Sequence, residues 1–360
     1  MYDVIVVGGG PGGSVAANRC ALSGLETLML ERKKLPRDKV CSGMVMGPWA
    51  HDNIQQEFGT IPLEILADPC QLSGHMMHMP GTQSRRILCK TPLAWRKDLD
   101  FWMVRRAQKN GVEICEGAKV IEVKQKAGAC TVTMIQGKTP QELKSRFVIG
   151  ADGGASVVRK SLFPLLKVQF SVPMRECYEG ALDLEKDYFH WFFPKQRYRP
   201  RFGLNHKGDC FLIEGSGIKE LRNEIMQILA KYGFGNKSKV LWKDGCLLPR
   251  LHEALISGSF SPAKGNILLV GDAAGLLFPV TFEGIGSALK SGILAADSVA
   301  RSAKEGRDAA GIYLQELTSI LQTIRRLHSW NKKLEQEAAK GGAALSKALK
   351  AAYTETLKVS

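Results

Sequence analysis

VVGGGPGGS, Val6 to Ser14, decides the fold. The apolar run Val4 to Val7 leads into Gly8-x-Gly10-x-x-Gly13, and a helix-compatible stretch from Ser14 to Leu22 follows. Strand, tight turn and helix in this order make a dinucleotide-binding unit. Glycines there leave backbone N–H groups open to a pyrophosphate, and the helix N-terminus favours its negative charge. A second apolar run, Thr27 to Leu30, ends in Glu31, placed where an acid accepts both hydroxyls of an adenosine ribose.

Outward from this turn lie two further glycine motifs, IGADGGAS from Ile149 to Ser156 and LLVGDAAG from Leu268 to Gly275. Neither repeats the strand, Gly-x-Gly-x-x-Gly, acid arrangement, so the sequence carries no second fingerprint of the nicotinamide-nucleotide type. FVIGAD, Phe147 to Asp152, and ILLVGDAA, from Ile267, read as buried strands. Between them the chain is richer in aromatics, proline and alternating patterns such as Cys210 to Glu214, which predicts an antiparallel sheet. After Gly284 the pattern turns helical, and Gly341 and Gly342 are expected to break the final helix.

At 360 residues the chain exceeds one typical core, which predicts two packed domains. The expected division assigns 1–65, 90–160 and 263–310 to the nucleotide-binding domain, 66–89 and 161–262 to a substrate domain, and 311–360 to a C-terminal helical segment. The first strand starts directly after Met1 with no basic leader or small-residue cleavage site, so no signal peptide is expected. Nine cysteines stand singly without a C-x-x-C pair, which argues for a reducing cytosol and against a zinc or iron–sulfur site. The longest apolar stretch, Ile267 to Val299, is interrupted by Asp272, Glu283 and Lys290, and is not read as a membrane span.

The net charge of +15 favours anionic surfaces. Basic residues gather at Arg32 to Lys39, at Lys195 to Lys207, and in the tail after Thr323. In that tail Leu345, Leu349, Tyr353 and Leu357 recur at every fourth position. Such a helix either lies on a membrane surface or packs its stripe inward with the lysines in solvent. The expected location is the cytoplasm, with peripheral membrane contact through this helix left open. No basic motif is interleaved with aromatics, so nucleic acid is not an expected partner.

Together, VVGGGPGGS, VIGADGGAS and LLVGDAAGLLFPVTFEGI resemble the FAD-dependent enzymes of the p-hydroxybenzoate hydroxylase-like fold. KVCSGMV around Cys41 and FHWFFPK from Phe189 to Lys195 are similar to two signatures of the geranylgeranyl reductase family, Cys-(Gly/Ser)-Gly and Tyr-x-Trp-x-Phe-Pro-Lys. The resemblance covers nearly all of residues 1–310. It implies an α/β fold in which a Rossmann-like FAD-binding domain is interleaved with a mainly antiparallel substrate domain, followed by C-terminal helices.

The resemblance also implies roles. Gly8, Gly10 and Gly13 would hold the pyrophosphate, Glu31 the adenosine ribose with Arg32 beside it, and Arg96 the phosphate or ribose side of FAD. Asp152 and Gly153 would turn the chain closely past the cofactor. Gly271 and Asp272 would meet the ribityl hydroxyls, and the helix opening at Gly284 and Ile285 would aim its N–H groups at the flavin. Cys41 and Ser42 would lie beside the isoalloxazine ring, where the thiol is either a proton donor or a small buried hydrophobe. Trp191 and Phe193 share a strand face opposite to Phe192, and that face either lines a pocket for an elongated apolar substrate or forms core. Lys195, with Arg197, Arg199 and Arg201, either binds a phosphate or carboxylate at the pocket mouth or is a solvated strand. Phe282 stands where the family has glycine and would narrow the flavin face, and Phe189 stands where the family has tyrosine.

The implied function is reduction, or dehydrogenation, of a carbon–carbon bond in an apolar isoprenoid or lipid-like substrate. Electrons would come from NAD(P)H or a protein donor. Two alternatives remain open from the sequence: an FAD monooxygenase of the same fold, and an electron-transfer flavoprotein serving a membrane quinone. A halogenase is disfavoured, because the segment His190 to Pro194 lacks paired tryptophans.

Overall fold

The computed structural model describes residues 1–126, 128–193 and 202–359. The strand Tyr2–Val7 forms because its apolar residues are buried to 4% exposure or less from Val4 onward, as in a parallel strand covered on both faces. It pairs in parallel with Thr27–Glu31 on one side and Thr139–Gly150 on the other. Glu113–Glu116 extends the sheet beyond Thr27–Glu31, and Ile267–Leu269 extends it beyond Thr139–Gly150. All three glycine motifs therefore leave neighbouring parallel strands at their C-terminal ends, where ligands of open α/β sheets bind. An antiparallel flap, Lys119–Lys126 with Ala129–Gln136, joins the long Thr139–Gly150 strand.

A helix, Pro11–Leu22, follows the first turn, with Gly10 as N-cap and proline at its start, where the missing N–H costs nothing. It packs against the long helix Ile285–Glu305, so that a Cβ at Gly12 would stand 2.9 Å from the Ala288 carbonyl oxygen.

The second sheet has seven strands in the order Val240–Gly245, Pro173–Glu179, Cys210–Ser216, Phe202–Lys207, Tyr188–Phe192, Leu66–His78 and Arg85–Ala94. All its pairings are antiparallel except that of Tyr188–Phe192 with Leu66–His78, which is parallel. Its last strand runs through Ala94, past the boundary at 89/90 expected from the sequence. One face carries Tyr178, Phe192, Phe202, Leu204, Phe211 and Ile213 into a core completed by the helix Arg222–Leu229. The other face looks toward the glycine motifs.

The C-terminal helices are Ala309–Glu316, Thr318–Ala339 and Gly342–Val359, with the expected break at Gly341. Leu345, Leu349 and Tyr353 are buried against Met77, Met79, Ile87, Phe193 and Leu334. The tail's apolar stripe is thus spent inside the protein, and Lys347, Lys350 and Lys358 occupy its outer face. Of the two readings open from the sequence, the stripe follows the one that packs inward with the lysines outside. No described helix is long and apolar enough to cross a membrane.

Candidate active site

At the first turn the backbone is the functional element. Gly8 holds a positive φ of 108°, and its N–H donates to the Leu30 carbonyl at 2.8 Å. A Cβ on Gly13 would overlap the Gly8 carbonyl oxygen, so only glycine lets the helix start this close to the strand end. A cradle of this kind leaves no side chain between an incoming pyrophosphate and the helix N-terminus.

Glu31 is buried beside the cradle and accepts from the N–H of Gly9 at 3.0 Å and of Lys33 at 3.0 Å. Its other partner is Arg37, whose Nε donates to Glu31 Oε2 at 3.0 Å. The same guanidinium reaches Asp100 at 3.2 Å and lies 3.7 Å from where a Gly10 Cβ would stand. Arg37 is the basic residue that enters the cradle, whereas Arg32, named from the sequence, is exposed. The basic run Arg32 to Lys39 was visible, but choosing within it depends on how the loop folds back.

Arg96 is 7% exposed and makes a two-point pair with the fully buried Asp100, Nε to Oδ1 at 2.8 Å and Nη2 to Oδ2 at 3.0 Å. Nε and Nη2 of its fork are thus taken by Asp100. Burial works against its charge, but Asp100 and the neighbouring Cys41 side chain outweigh this and hold the guanidinium protonated more firmly than usual.

Cys41 is half-buried. Its Sγ accepts from the Gly43 N–H at 3.4 Å, and its carbonyl accepts from Arg175 Nη1 at 2.6 Å. Arg175 also donates to the Lys39 carbonyl at 3.3 Å while pairing with Asp244. The loop is pinned further by Val45 N–H to Pro92 and Ala94 N–H to Gly43. Ser42 is half-buried next to Cys41. This loop therefore spans from the parallel sheet to the antiparallel one and carries Cys41 between them.

The second and third motifs meet through Arg159, which the sequence reading missed. Its guanidinium donates to the Ala273 carbonyl at 2.8 Å and the Gly154 carbonyl at 2.6 Å, 1% exposed. The carboxylate of Asp152 accepts from Ser156 Oγ at 2.6 Å and from the N–H groups of Val157 and Val158 at 2.6 and 3.2 Å. Ser156 N-caps the helix Val157–Leu162 through the Arg159 N–H, and Asp152 braces that cap and the first two N–H groups, with Gly153 at φ +79° in the turn between them. These bonds use the Asp152 carboxylate to shape the turn.

Gly271 has φ +53° and donates its N–H to Ser291 Oγ at 3.0 Å. Asp272 follows, partly exposed, 3.7 Å from Lys39 Nζ. Gly284 N-caps the long helix beside it, where a Cβ would lie 3.4 Å from Asp272 Oδ1 and 2.7 Å from Leu277. Ile285 is buried in the core with Leu99 and Val45. At this helix start Glu283 Oε1 accepts from the Gly286 N–H at 2.6 Å, so one of the first N–H groups is already matched. Burial pushes the Glu283 carboxyl up to about 7, with Asp272 adding to the shift and the helix N–H groups opposing it. Phe282 keeps a left-handed φ of +55° although it is not glycine, and its ring is 46% exposed.

On the antiparallel sheet, Trp191 Nε1 donates to His75 Nδ1 at 3.2 Å, and its ring centroid is 4.3 Å from that of Phe189. Tyr353 closes the group from the last helix at 6.1 Å from both Trp191 and His75. Burial brings His75 down to about 4, so it is neutral at ordinary pH. Phe193 lies just past the strand end in the core that the tail helices cover. Lys195, with Arg197, Arg199 and Arg201, lies outside the described residues.

A family model for FAD-dependent oxidoreductases matches residues 3–165. The chain is 29% identical to digeranylgeranylglycerophospholipid reductase 2 of Methanopyrus kandleri, over 87% of this chain and 80% of that protein. It is 26% identical to geranylgeranyl diphosphate reductase of Rhodobacter capsulatus, over 91% of this chain and 83% of that one. A geranylgeranyl bacteriochlorophyll reductase-like protein of Thermoplasma acidophilum has the same fold, with a TM-score of 0.77 at 20% identity over 99% of this chain and 97% of that one. The glycine cradle, the Cys41 loop and these relatives agree in making the chain similar to the geranylgeranyl reductases among FAD-dependent oxidoreductases.

Proposed function

We propose that this protein reduces a carbon–carbon double bond in an elongated, apolar isoprenoid. The observation that carries this reading is the aromatic face formed by Phe189, Trp191, His75 and Tyr353, on the sheet to which the Cys41 loop is pinned.

The cradle at Gly8, Gly10 and Gly13 fits the pyrophosphate of FAD, Glu31 and Arg37 its adenosine side, and Asp272 with Gly284 its ribityl and ring end. Bound FAD supplies hydride-transfer chemistry, recharged by NAD(P)H or a protein donor. The protein's own part is to orient the chain and exclude water. Trp191, held by His75, orients the substrate. Phe193 backs this wall, and the exposed Phe282 is assigned to the flavin face. Cys41 Sγ is the proton-bearing atom of the loop between the two sheets, with Ser42 beside it.

The test is anaerobic incubation of the dithionite-reduced holoenzyme with a lipid carrying geranylgeranyl chains, read by mass. A gain of two hydrogens per bond supports the reading. An unchanged lipid that gains one oxygen only with air and NADPH replaces it with a monooxygenase.

A further inference from the structure

Along the inner face of the antiparallel sheet the aromatic end gives way to a polar one. Strand alternation puts Trp191, Gly203, Asn205, Lys207, Leu212, Glu214 and Arg175 on this face. Gly203 pairs with both Trp191 and Glu214, Asn205 pairs with Leu212, and Glu214 also pairs with Arg175. A Cβ on Gly203 would be 2.6 Å from the Phe189 ring, so the ring lies directly on the backbone between the two ends.

Asn205 is completely buried, yet neither its Oδ1 nor its Nδ2 has a partner, and Glu214 Oε2 is buried without one as well. Each unmade hydrogen bond of this kind is destabilising in a buried place. Three such atoms together mark a place where another molecule supplies the partners. The charges offset one another in number: Arg175 pairs with Asp244, and the buried Lys207, which donates to the Ala94 carbonyl at 2.9 Å, is attracted at longer range to Glu214 on the same face. A diphosphate would bring several uncompensated negative charges against these groups, at a large desolvation cost. A neutral group that both donates and accepts meets the amide and the carboxyl without one.

We propose that Asn205 and Glu214 form a subsite for a neutral hydrogen-bonding head, an alcohol ending an isoprenoid chain, while Phe189, Trp191 and Tyr353 hold the chain. This rests on the isoprenoid reading given above and names the form of substrate that reading leaves open.

The test titrates the holoenzyme with geranylgeraniol, with the hydrocarbon lacking its hydroxyl, and with geranylgeranyl diphosphate, following the flavin absorbance. The alcohol is expected to bind at least about tenfold more tightly than the hydrocarbon, and no more weakly than the diphosphate. In Asn205→Leu the alcohol should fall to the level of the hydrocarbon while hydrocarbon binding is kept. The wild-type ratio stands even where that variant fails to fold. Equal binding of alcohol and hydrocarbon by the wild type, or a ratio unchanged in Asn205→Leu, overturns the subsite. Loss of flavin from a folded Asn205→Leu assigns the amide to the cofactor and overturns it too. If none of the three isoprenoids binds, the isoprenoid reading itself falls with it; if all three bind alike, the subsite alone falls.

Discussion

The turn after the first strand and the inner face of the antiparallel sheet build the proposed site in different ways. At the turn the backbone does the work: Gly8 and Gly13 approach so closely that a Cβ has no place, and any side chain is excluded. On the sheet face the side chains do it, contributed by strands as far apart in sequence as His75, Arg175, Trp191, Asn205 and Glu214. A backbone requirement leaves a fixed spacing of one residue type, whereas an assembled face leaves only an alternation that any half-buried strand shows. The first region is therefore expected to be intolerant of change, and the second to tune what is bound.

The largest effect should come from the turn. Gly13→Ala is expected to cost about 3 kcal/mol or more and to yield protein without flavin; a yellow, stable variant would show that the close approach is not needed. On the sheet face, Trp191→Ala should lower kcat/KM at least about tenfold, a loss of about 1.4 kcal/mol in transition-state stabilisation, with flavin content unchanged. Equal turnover would make that aromatic group mere core.

A smaller, paired test separates two arginines of one loop. Arg37→Ala should weaken FAD binding about tenfold, since a charged hydrogen bond contributes about 1.5–3 kcal/mol, while Arg32→Ala stays within about twofold. The reverse order would return Arg32 to the site.

The smallest effect concerns pH. Burial raises the Glu283 carboxyl from 4.5 to about 7, so folding favours its protonated form. Its contribution is complete below the unfolded value and is lost as pH rises toward and through about 7. Glu283→Gln should therefore gain about 1–3 kcal/mol relative to wild type at pH 8 and nothing at pH 4, measured by denaturant melts. A constant difference across this range would mean that Glu283 folds ionised.

The same contrast explains what could be read from the sequence. Glycine spacing, Glu31 and the apolar runs announced the parallel sheet, because each is a local demand of strand, turn and helix. The break at Gly341 was equally local. Arg37 was hidden within a basic run whose fold-back decides which member reaches Glu31. Asp152 was recognised as part of a motif, but its bracing of a helix start depends on hydrogen bonds from the N–H groups of Val157 and Val158. Asn205 gave no sign at all, since a single amide in a strand becomes informative only when burial leaves it without partners. The tail's stripe was legible as a stripe, while the surface it covers was not.

The central claim is that the aromatic face presents an isoprenoid double bond for reduction. It is tested most directly by mixing the reduced, oxygen-free holoenzyme with geranylgeraniol in a stopped-flow instrument and following the flavin absorbance. Reoxidation of the flavin in step with saturation of the isoprenoid, slowed at least about tenfold in Trp191→Ala, is the predicted result. A flavin that stays reduced until oxygen is admitted would contradict it.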